Sequence, residues 1–301
     1  MTRDHFLSDI SRTLNSSPLG GPLVHLKRVF TRSILRGGPI RVGHHELYLS
    51  PFDTVSLLPY LLGIYEREEL AIAGRLVNPG DFVLDIGANI GYWSLSLSEM
   101  VGSEGRVLAF EPDPDNFALL ERNLATNAIR NVQTQNFALS NRDGRVSLYR
   151  SETNAGDYSL ASRPGASRPA ITVLARRLDS LSSAIPTTPA FVKVDVQGLE
   201  LNVMQGGRRL LGEWSHKTVL LSEFEPPSLF RAGVQPAQFL EFMSDIGYAT
   251  VLLRKSGWGR VNRCRVIERA EFGQYQAWAG KGANIVFLPF ERLSLIERLR
   301  Y

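Results

Sequence analysis

The most constraining feature of this chain is a nine-residue run, Val83-Leu-Asp-Ile-Gly-Ala-Asn-Ile-Gly91. A short apolar strand runs into Asp85, a glycine turn follows, and Tyr92–Met100 has helical character. Gly87 and Gly91 admit backbone conformations and close approaches that a side chain would block. The start of the next helix offers backbone N–H groups with no partner in the helix itself. In an open α/β sheet, ligands bind beyond the carboxyl ends of the strands, where the strand order reverses. A strand–glycine turn–helix unit of this kind is therefore expected to hold a nucleotide.

The rest of the chain supports that frame. Leu70–Leu76 reads as the end of a helix, stopped by Asn78-Pro79-Gly80-Asp81. Phe82–Ile86 and Arg106–Phe110 are expected as strands, and Asp113-Pro114 as N-cap and first turn of a helix running to about Ala128. Val132–Leu139 is expected as a third strand with Arg145–Tyr149 as its hairpin partner, Phe191–Val196 as a fourth and Lys217–Phe224 as a fifth. Gln235–Asp245 reads as a helix, and Thr250–Leu253 and Asn284–Leu288 as the last two strands, forming an antiparallel edge. Strands alternating with helices predict an α/β parallel sheet with right-handed crossovers.

The spacing selects the ligand. A dinucleotide fold carries G-x-G-x-x-G, whereas this turn reads D-x-G-x-N-x-G. Asp85 would repel a pyrophosphate and suits an ammonium group. Glu111, 20 residues after Gly91, ends the second strand where a carboxylate can accept both hydroxyls of a ribose. Together these describe S-adenosylmethionine better than NAD.

Composition narrows the class. The chain has 301 residues, 44% of them apolar, which excludes whole-chain disorder. No apolar run approaches the ~18–20 residues of a membrane span. Cys264 is the single cysteine, so no intrachain disulfide framework or cysteine-rich zinc site is expected. The N-terminus lacks the apolar core of a signal peptide, and a soluble, cytoplasmic protein is expected. The net charge of +4 is uneven: residues 1–42 hold seven basic and two acidic residues, and the remainder is slightly negative. Within that arm Leu23, Leu26, Phe30 and Ile34 recur at helical spacing, with Arg28, Arg32 and Arg36 on another face. Peripheral contact with an anionic membrane and simple packing on the body are both open, the second preferred. Residues 1–58 are read as a basic extension or lid and 59–301 as the main domain. Ser151–Pro169 is read as an exposed loop.

Three runs carry a resemblance: Phe82-Val-Leu-Asp-Ile-Gly-Ala-Asn-Ile-Gly-Tyr-Trp-Ser94, Ala109-Phe-Glu-Pro-Asp-Pro114 and Phe191-Val-Lys-Val-Asp-Val-Gln-Gly-Leu-Glu200. Smaller echoes are Gly63-Ile-Tyr-Glu-Arg-Glu68, Asn136-Phe-Ala-Leu-Ser140, Arg177-Leu-Asp179 and Leu221-Ser-Glu-Phe-Glu225. The chain resembles the FkbM family of class I methyltransferases from about residue 60 to 290. That resemblance implies a Rossmann-like, seven-stranded, mostly parallel sheet with an antiparallel last strand, S-adenosylmethionine as methyl donor, and O-methylation of a sugar, glycan or natural-product hydroxyl. It implies that Asp85, Gly87, Asn89 and Gly91 hold the methionine part and Glu111 the ribose. Asn116 lines the same pocket, and Asn136–Ala138 borders the adenine, with Ala138 counted in the site. The family run usually reads D-V-E-G, and this chain has Gln197 in place of the glutamate.

Methyl transfer from a sulfonium needs an in-line nucleophile held in place, and an alcohol nucleophile gains from a general base. Asp195, at the end of the fourth strand, is the first candidate for base or orienting group, with Lys193, Glu200 and Glu223 secondary. A magnesium ion held by Asp195 with Glu200 or Glu223 is an alternative way to acidify the hydroxyl; no metal ligand is assigned. His44-His45 precedes the domain and offers a further base, with a surface role preferred.

Three other readings stand against this one. An RNA methyltransferase is disfavoured because the fourth strand ends in Asp195-Val-Gln-Gly, not in an Asn/Asp-Pro-Pro-aromatic run, and the body lacks a basic footprint. A non-catalytic binding module would not need both Asp85 and Glu111. An NAD-dependent oxidoreductase is disfavoured by the glycine spacing. Fold alone decides among none of them.

Overall fold

The computed structural model describes residues 38–50, 57–150, 170–255, 261–277 and 283–299. The arm helix expected at 23–34 and the loop expected at 151–169 lie outside the described residues. The chain opens with a hairpin of β1 (Ile40–Val42) and β2 (His45–Leu47), then α1 (Leu57–Leu61) and α2 (Arg67–Leu76). Next come β3 (Phe82–Ile86), α3 (Tyr92–Val101), β4 (Arg106–Phe110), α4 (Pro114–Thr126) and β5 (Val132–Gln135). A small insert follows: β6 (Ala138–Leu139), β7 (Gly144–Leu148) and β8 (Ile171–Arg176). The second half holds β9 (Phe191–Val194), α5 (Glu200–Gly206), α6 (Arg208–Trp214), β10 (Val219–Phe224), α7 (Pro226–Arg231) and α8 (Pro236–Asp245). It closes with β11 (Tyr248–Lys255), β12 (Val261–Ile267), β13 (Ala283–Pro289) and α9 (Ile296–Leu299).

The main sheet has eight strands in the order β12-β11-β13-β10-β9-β3-β4-β5. The five strands from β10 to β5 run parallel, and β13 is antiparallel to both β10 and β11. Strand order therefore reverses at β3, whose neighbours are β4 on one side and β9 on the other. Because side chains alternate along a strand, one face presents Val83, Val107, Phe191, Val219 and Leu221 to α2 and α3, through Ile72, Ala73, Trp93 and Leu97. The other presents Leu84, Ile86, Leu108, Val192 and Leu220 to α5, α6 and α8, through Val203, Leu211, Phe239 and Met243. Burial on both faces explains why these strands read as continuous apolar runs.

Local chemistry sets several boundaries. Asp113 caps α4, its carboxylate accepting from Asp115 N at 2.9 Å and Asn116 N at 3.0 Å, with Pro114 in the first turn. Asn123, in the last turn of α4, and Asn127, its C-cap, act as a surrogate strand for residues 46–48. Asn123 pairs with the N–H and C=O of Tyr48, and Asn127 with those of Glu46. That docking places Leu47 and Leu49 in one apolar cluster with Ala88, Ile90 and Leu120.

Three sequence expectations are corrected. The third strand is not continuous over 132–139: Asn136 Nδ2 donates to Glu111 O at 2.8 Å, and Ala138–Leu139 leaves the main sheet to pair with β8. The hairpin partner expected at 145–149 pairs with β8 instead, in a separate three-stranded sheet ordered β6-β8-β7. The sheet also gains β12, which follows β11 in sequence and pairs on its outer side, so that β12 and not β11 forms the edge. Its sequence, VNRCRVI, carries the polar and charged residues that suit an edge strand and mask its apolar pattern.

Candidate active site

Register at the centre of the sheet brings the charged residues together. Asp85 of β3 lies opposite Lys193 of β9, which lies opposite Leu221 of β10. Two residues further along, on the same face, come Asp195 and Glu223. Four ionisable side chains thus stack at the carboxyl edge of three adjacent strands, on the side covered by α3.

The lower pair is enclosed. Asp85 is fully buried, and its Oδ2 accepts from Ser94 Oγ at 2.6 Å. Lys193 Nζ donates to Gly87 O at 2.9 Å and lies 3.7 Å from both Asp85 Oδ1 and Asp195 Oδ2, and 5.9 Å from the centre of the Trp93 ring. Burial pulls the Lys193 pKa down, but Asp195, Asp85, Glu66 and Glu223 more than offset it, so the net shift is upward and the ammonium is retained. Burial pushes the Asp85 carboxyl up, and Lys193 and Ser94 act against that push.

The upper layer is partly open. The Asp195 side chain is 26% exposed. Gln197 Nε2 donates to Asp195 Oδ1 at 2.8 Å and to Glu223 Oε2 at 3.0 Å. Burial raises the Glu223 pKa well above the usual carboxylate range, and Asp195, Glu200, Glu225 and Glu66 add to the shift. Glu200 is 1% exposed and sits beneath the turn, its Oε1 accepting from Val196 N at 3.2 Å and Gly198 N at 3.0 Å. That is a turn-capping position, not one on the open side. Burial lifts its pKa to about 7.

One member of the cluster, Glu66, lies in the run Gly63–Glu68 that carries the resemblance but was not expected in the site. Glu66 precedes α2 in a left-handed conformation, φ 46°, and its carboxylate accepts a hydrogen bond from Trp93 Nε1 instead of capping its own helix. Burial and then Asp195 raise its pKa to about 7. Among the described residues, four non-glycine residues have positive φ, and Glu66, Asn89 and Gln197 are three of them. Strained backbone of this kind concentrates at functional sites.

Glu111, at the end of β4, is buried, with Oε2 accepting from Asn89 N and Oε1 from Asp113 N, both at 2.8 Å. Burial outweighs those two bonds and lifts its pKa to about 8. Asn116 is buried in the first turn of α4, and Asn136 ties the end of β5 to the Glu111 carbonyl. Ala138 begins β6, two residues beyond that tie.

The two glycines of the turn are required by the protein's own packing. A Cβ on Gly87 would stand 1.9 Å from Asp195 O, and one on Gly91 would stand 2.6 Å from Leu120 Cδ1. Both have positive φ. The turn nevertheless fits S-adenosylmethionine. Asn89 Oδ1 is a buried acceptor with no hydrogen-bond donor, suited to the amino group of the ligand, while Asp85 Oδ1 faces Lys193 Nζ at 3.7 Å. The N-cap of α3 is glycine, with no side chain covering its first N–H groups.

The histidines stand elsewhere. His45 Nε2 lies 3.5 Å from Glu99 Oε1, in the last turns of α3 and hence at the end of that helix away from the glycine turn. His216 is exposed and bonded to Glu213 O. Among the described residues no group of three or more His, Cys, Asp or Glu is arranged to hold a metal ion. None of their helices is long and apolar enough to cross a membrane.

Comparison with known proteins agrees with this geometry. The chain is 29% identical over 191 residues to the hexuronic acid methyltransferase AglP of Haloferax volcanii, covering 63% of this chain and 72% of that protein. It is 29% identical over 207 residues to the methyltransferase sdnD of Sordaria araneosa, covering 59% and 76%. A solved methyltransferase FkbM from Methylobacillus flagellatus KT aligns with a TM-score of 0.40 at 19% identity, over 79% of this chain and 58% of that one. Residues 85–249, from the aspartate of the glycine turn to the second residue of β11, match the methyltransferase FkbM domain. The chain is a methyltransferase and belongs to the FkbM family.

Proposed function

We propose that this enzyme transfers a methyl group from S-adenosylmethionine to a hydroxyl of a sugar or a natural product, with Asp195 as the proton acceptor. The observation that carries the reading is the placement of Asp195. It is the partly open carboxylate at the switch point, two residues beyond a buried lysine and next to the Gly87 turn, whose backbone it touches. The likeness to a hexuronic acid methyltransferase supports a sugar acceptor.

Bound S-adenosylmethionine supplies a methyl group already activated for attack by an oxygen nucleophile. The chain's own residues then have two tasks. Glu111 and the turn from Asp85 to Gly91 orient the nucleoside and amino-acid ends. Asp195 takes the hydroxyl proton as the oxygen attacks, a role worth about 10²–10⁴-fold. Lys193 and Gln197 hold its two oxygens, one each. Its exposed edge returns the proton to solvent.

The test is transfer of labelled methyl from S-adenosylmethionine to a panel of uronosides, neutral glycosides and natural-product alcohols. We expect an O-methyl product from the wild type. In Asp195→Asn we expect a fall in kcat of about a hundredfold or more, with S-adenosylhomocysteine still bound. Methylation at nitrogen, or unchanged turnover in Asp195→Asn, would overturn the proposal.

A further inference from the structure

One side chain at this edge differs in kind from its neighbours. Gln197 is a neutral amide among Asp195, Glu200, Glu223 and Glu225. Its single nitrogen meets one carboxylate at 2.8 Å and a second at 3.0 Å. The two hydrogens of an amide diverge in one plane, so one nitrogen can serve two acceptors. Convergence of two carboxylate oxygens on one positive point is also what an oxygen-liganded divalent cation requires.

The backbone that aims the amide is rigid. Gln197 and Gly198 both have positive φ, 57° and 95°. Glu200 Oε1 binds the N–H on either side of residue 197, at Val196 and Gly198. A Cβ at Gly198 would come within 2.6 Å of Ser228 O, so α7 packs directly on the turn. A site residue held by a locked turn and by hydrogen bonds to its target keeps its target in one geometry. Lys193 meets Asp195 at Oδ2 from below, and Gln197 meets it at Oδ1 from above.

We propose that Gln197 is a positioning residue whose amide takes the seat of a cation between Asp195 and Glu223, so that Asp195 is held for proton transfer without a divalent metal ion. This rests on the reading of Asp195 as proton acceptor. An amide in that seat leaves no room for an ion there. A glutamate of the same length would bring a third carboxylate into the gap and create an oxygen-rich site.

The experiment compares wild type, Gln197→Glu, Gln197→Met and Asp195→Asn, all saturated with S-adenosylhomocysteine. Mn²⁺ is the probe, titrated by calorimetry, and needs no acceptor. We expect Gln197→Glu to bind Mn²⁺ at least about tenfold more tightly than wild type or Gln197→Met. On the best acceptor from the panel, wild-type kcat is indifferent to EDTA. Gln197→Met and Gln197→Glu lose about tenfold or more in kcat, with KM for S-adenosylmethionine within about threefold. Mn²⁺ then restores Gln197→Glu but not Gln197→Met. Wild type that binds Mn²⁺ as tightly as Gln197→Glu, or that needs it for turnover, overturns the inference, as does full kcat in Gln197→Met. If Gln197→Glu does not fold, Gln197→Met and the EDTA response still decide. Normal turnover in Asp195→Asn means that the parent reading has failed. Loss in Asp195→Asn with none in Gln197→Met means that this inference alone has failed.

Discussion

Lys193 Nζ and Asp85 Oδ1 lie 3.7 Å apart on neighbouring parallel strands, with the aspartate wholly enclosed and the lysine side chain 7% exposed. The register of β3 against β9 makes the pair. No other cation is within ion-pair distance of either residue among the described residues, so Lys193 alone compensates a group of carboxylates that extends from Asp85 up to Asp195.

Removing that cation is expected to be costly. Breaking a buried ion pair from one side typically destabilises by about 3–5 kcal/mol, because a charge is left behind. Lys193→Met should lose a stability of that order in urea unfolding. Asp85→Asn with Lys193→Met should lose less than the sum of the two single changes. Strict additivity would show that the residues do not interact.

Glu111 makes ligand affinity depend on pH. Its carboxyl, lifted to about 8 by burial, must be ionised to accept two ribose hydroxyls. Affinity for S-adenosylhomocysteine should therefore rise between about pH 6 and about pH 8, by up to about tenfold per unit, then level off. Glu111→Gln should bind more weakly at the upper end and show a flat profile for this group. The same rise in Glu111→Gln would assign it to another residue.

Glu200 makes stability depend on pH. Its pKa is about 7 when folded against an ordinary value of 4.5, with burial as the main cause. A carboxyl raised on folding contributes stability below about pH 4.5 that is lost as the pH rises through 7. Glu200→Gln keeps an oxygen for Val196 N and Gly198 N but carries no charge. Its stability relative to wild type should improve with rising pH, by on the order of 3 kcal/mol across the whole titration. Equal pH dependence in both proteins would contradict this.

Much of the centre of this fold was legible because its signals are local. β3 and β4 lie at their expected bounds, and the Asp113 cap starts α4 where Asp-Pro placed it. What could not be read depends on partners distant in the chain. The break after β5 is made by Asn136 reaching back to the carbonyl of Glu111. Glu66 joins the site through Trp93, which the fold alone brings near. Gln197 reads in sequence as a missing acid, whereas in space it is a donor shared by two acids. The glycine turn was placed correctly, but what crowds it is the carbonyl of Asp195, more than a hundred residues on.

That crowding gives a paired test. Gly87→Ala must move the Asp195 carbonyl and carries a Cβ at φ 80°. It should weaken both stability and S-adenosylhomocysteine binding. Gly212→Ala, inside α6, meets nothing within 4 Å. It should be neutral or stabilise by up to about 1 kcal/mol. A harmless Gly87→Ala would show that the turn yields more than its packing allows.

The central claim is that the edge from Asp85 to Glu111 receives S-adenosylmethionine. The most direct measurement is calorimetric titration of wild type and Glu111→Ala with S-adenosylmethionine, S-adenosylhomocysteine and NAD. The account predicts saturable binding of the first two by wild type, none of NAD, and a loss of about tenfold or more in Glu111→Ala with the fold intact by circular dichroism. Failure of wild type to bind either methionine derivative, or equal affinity in Glu111→Ala, would contradict it.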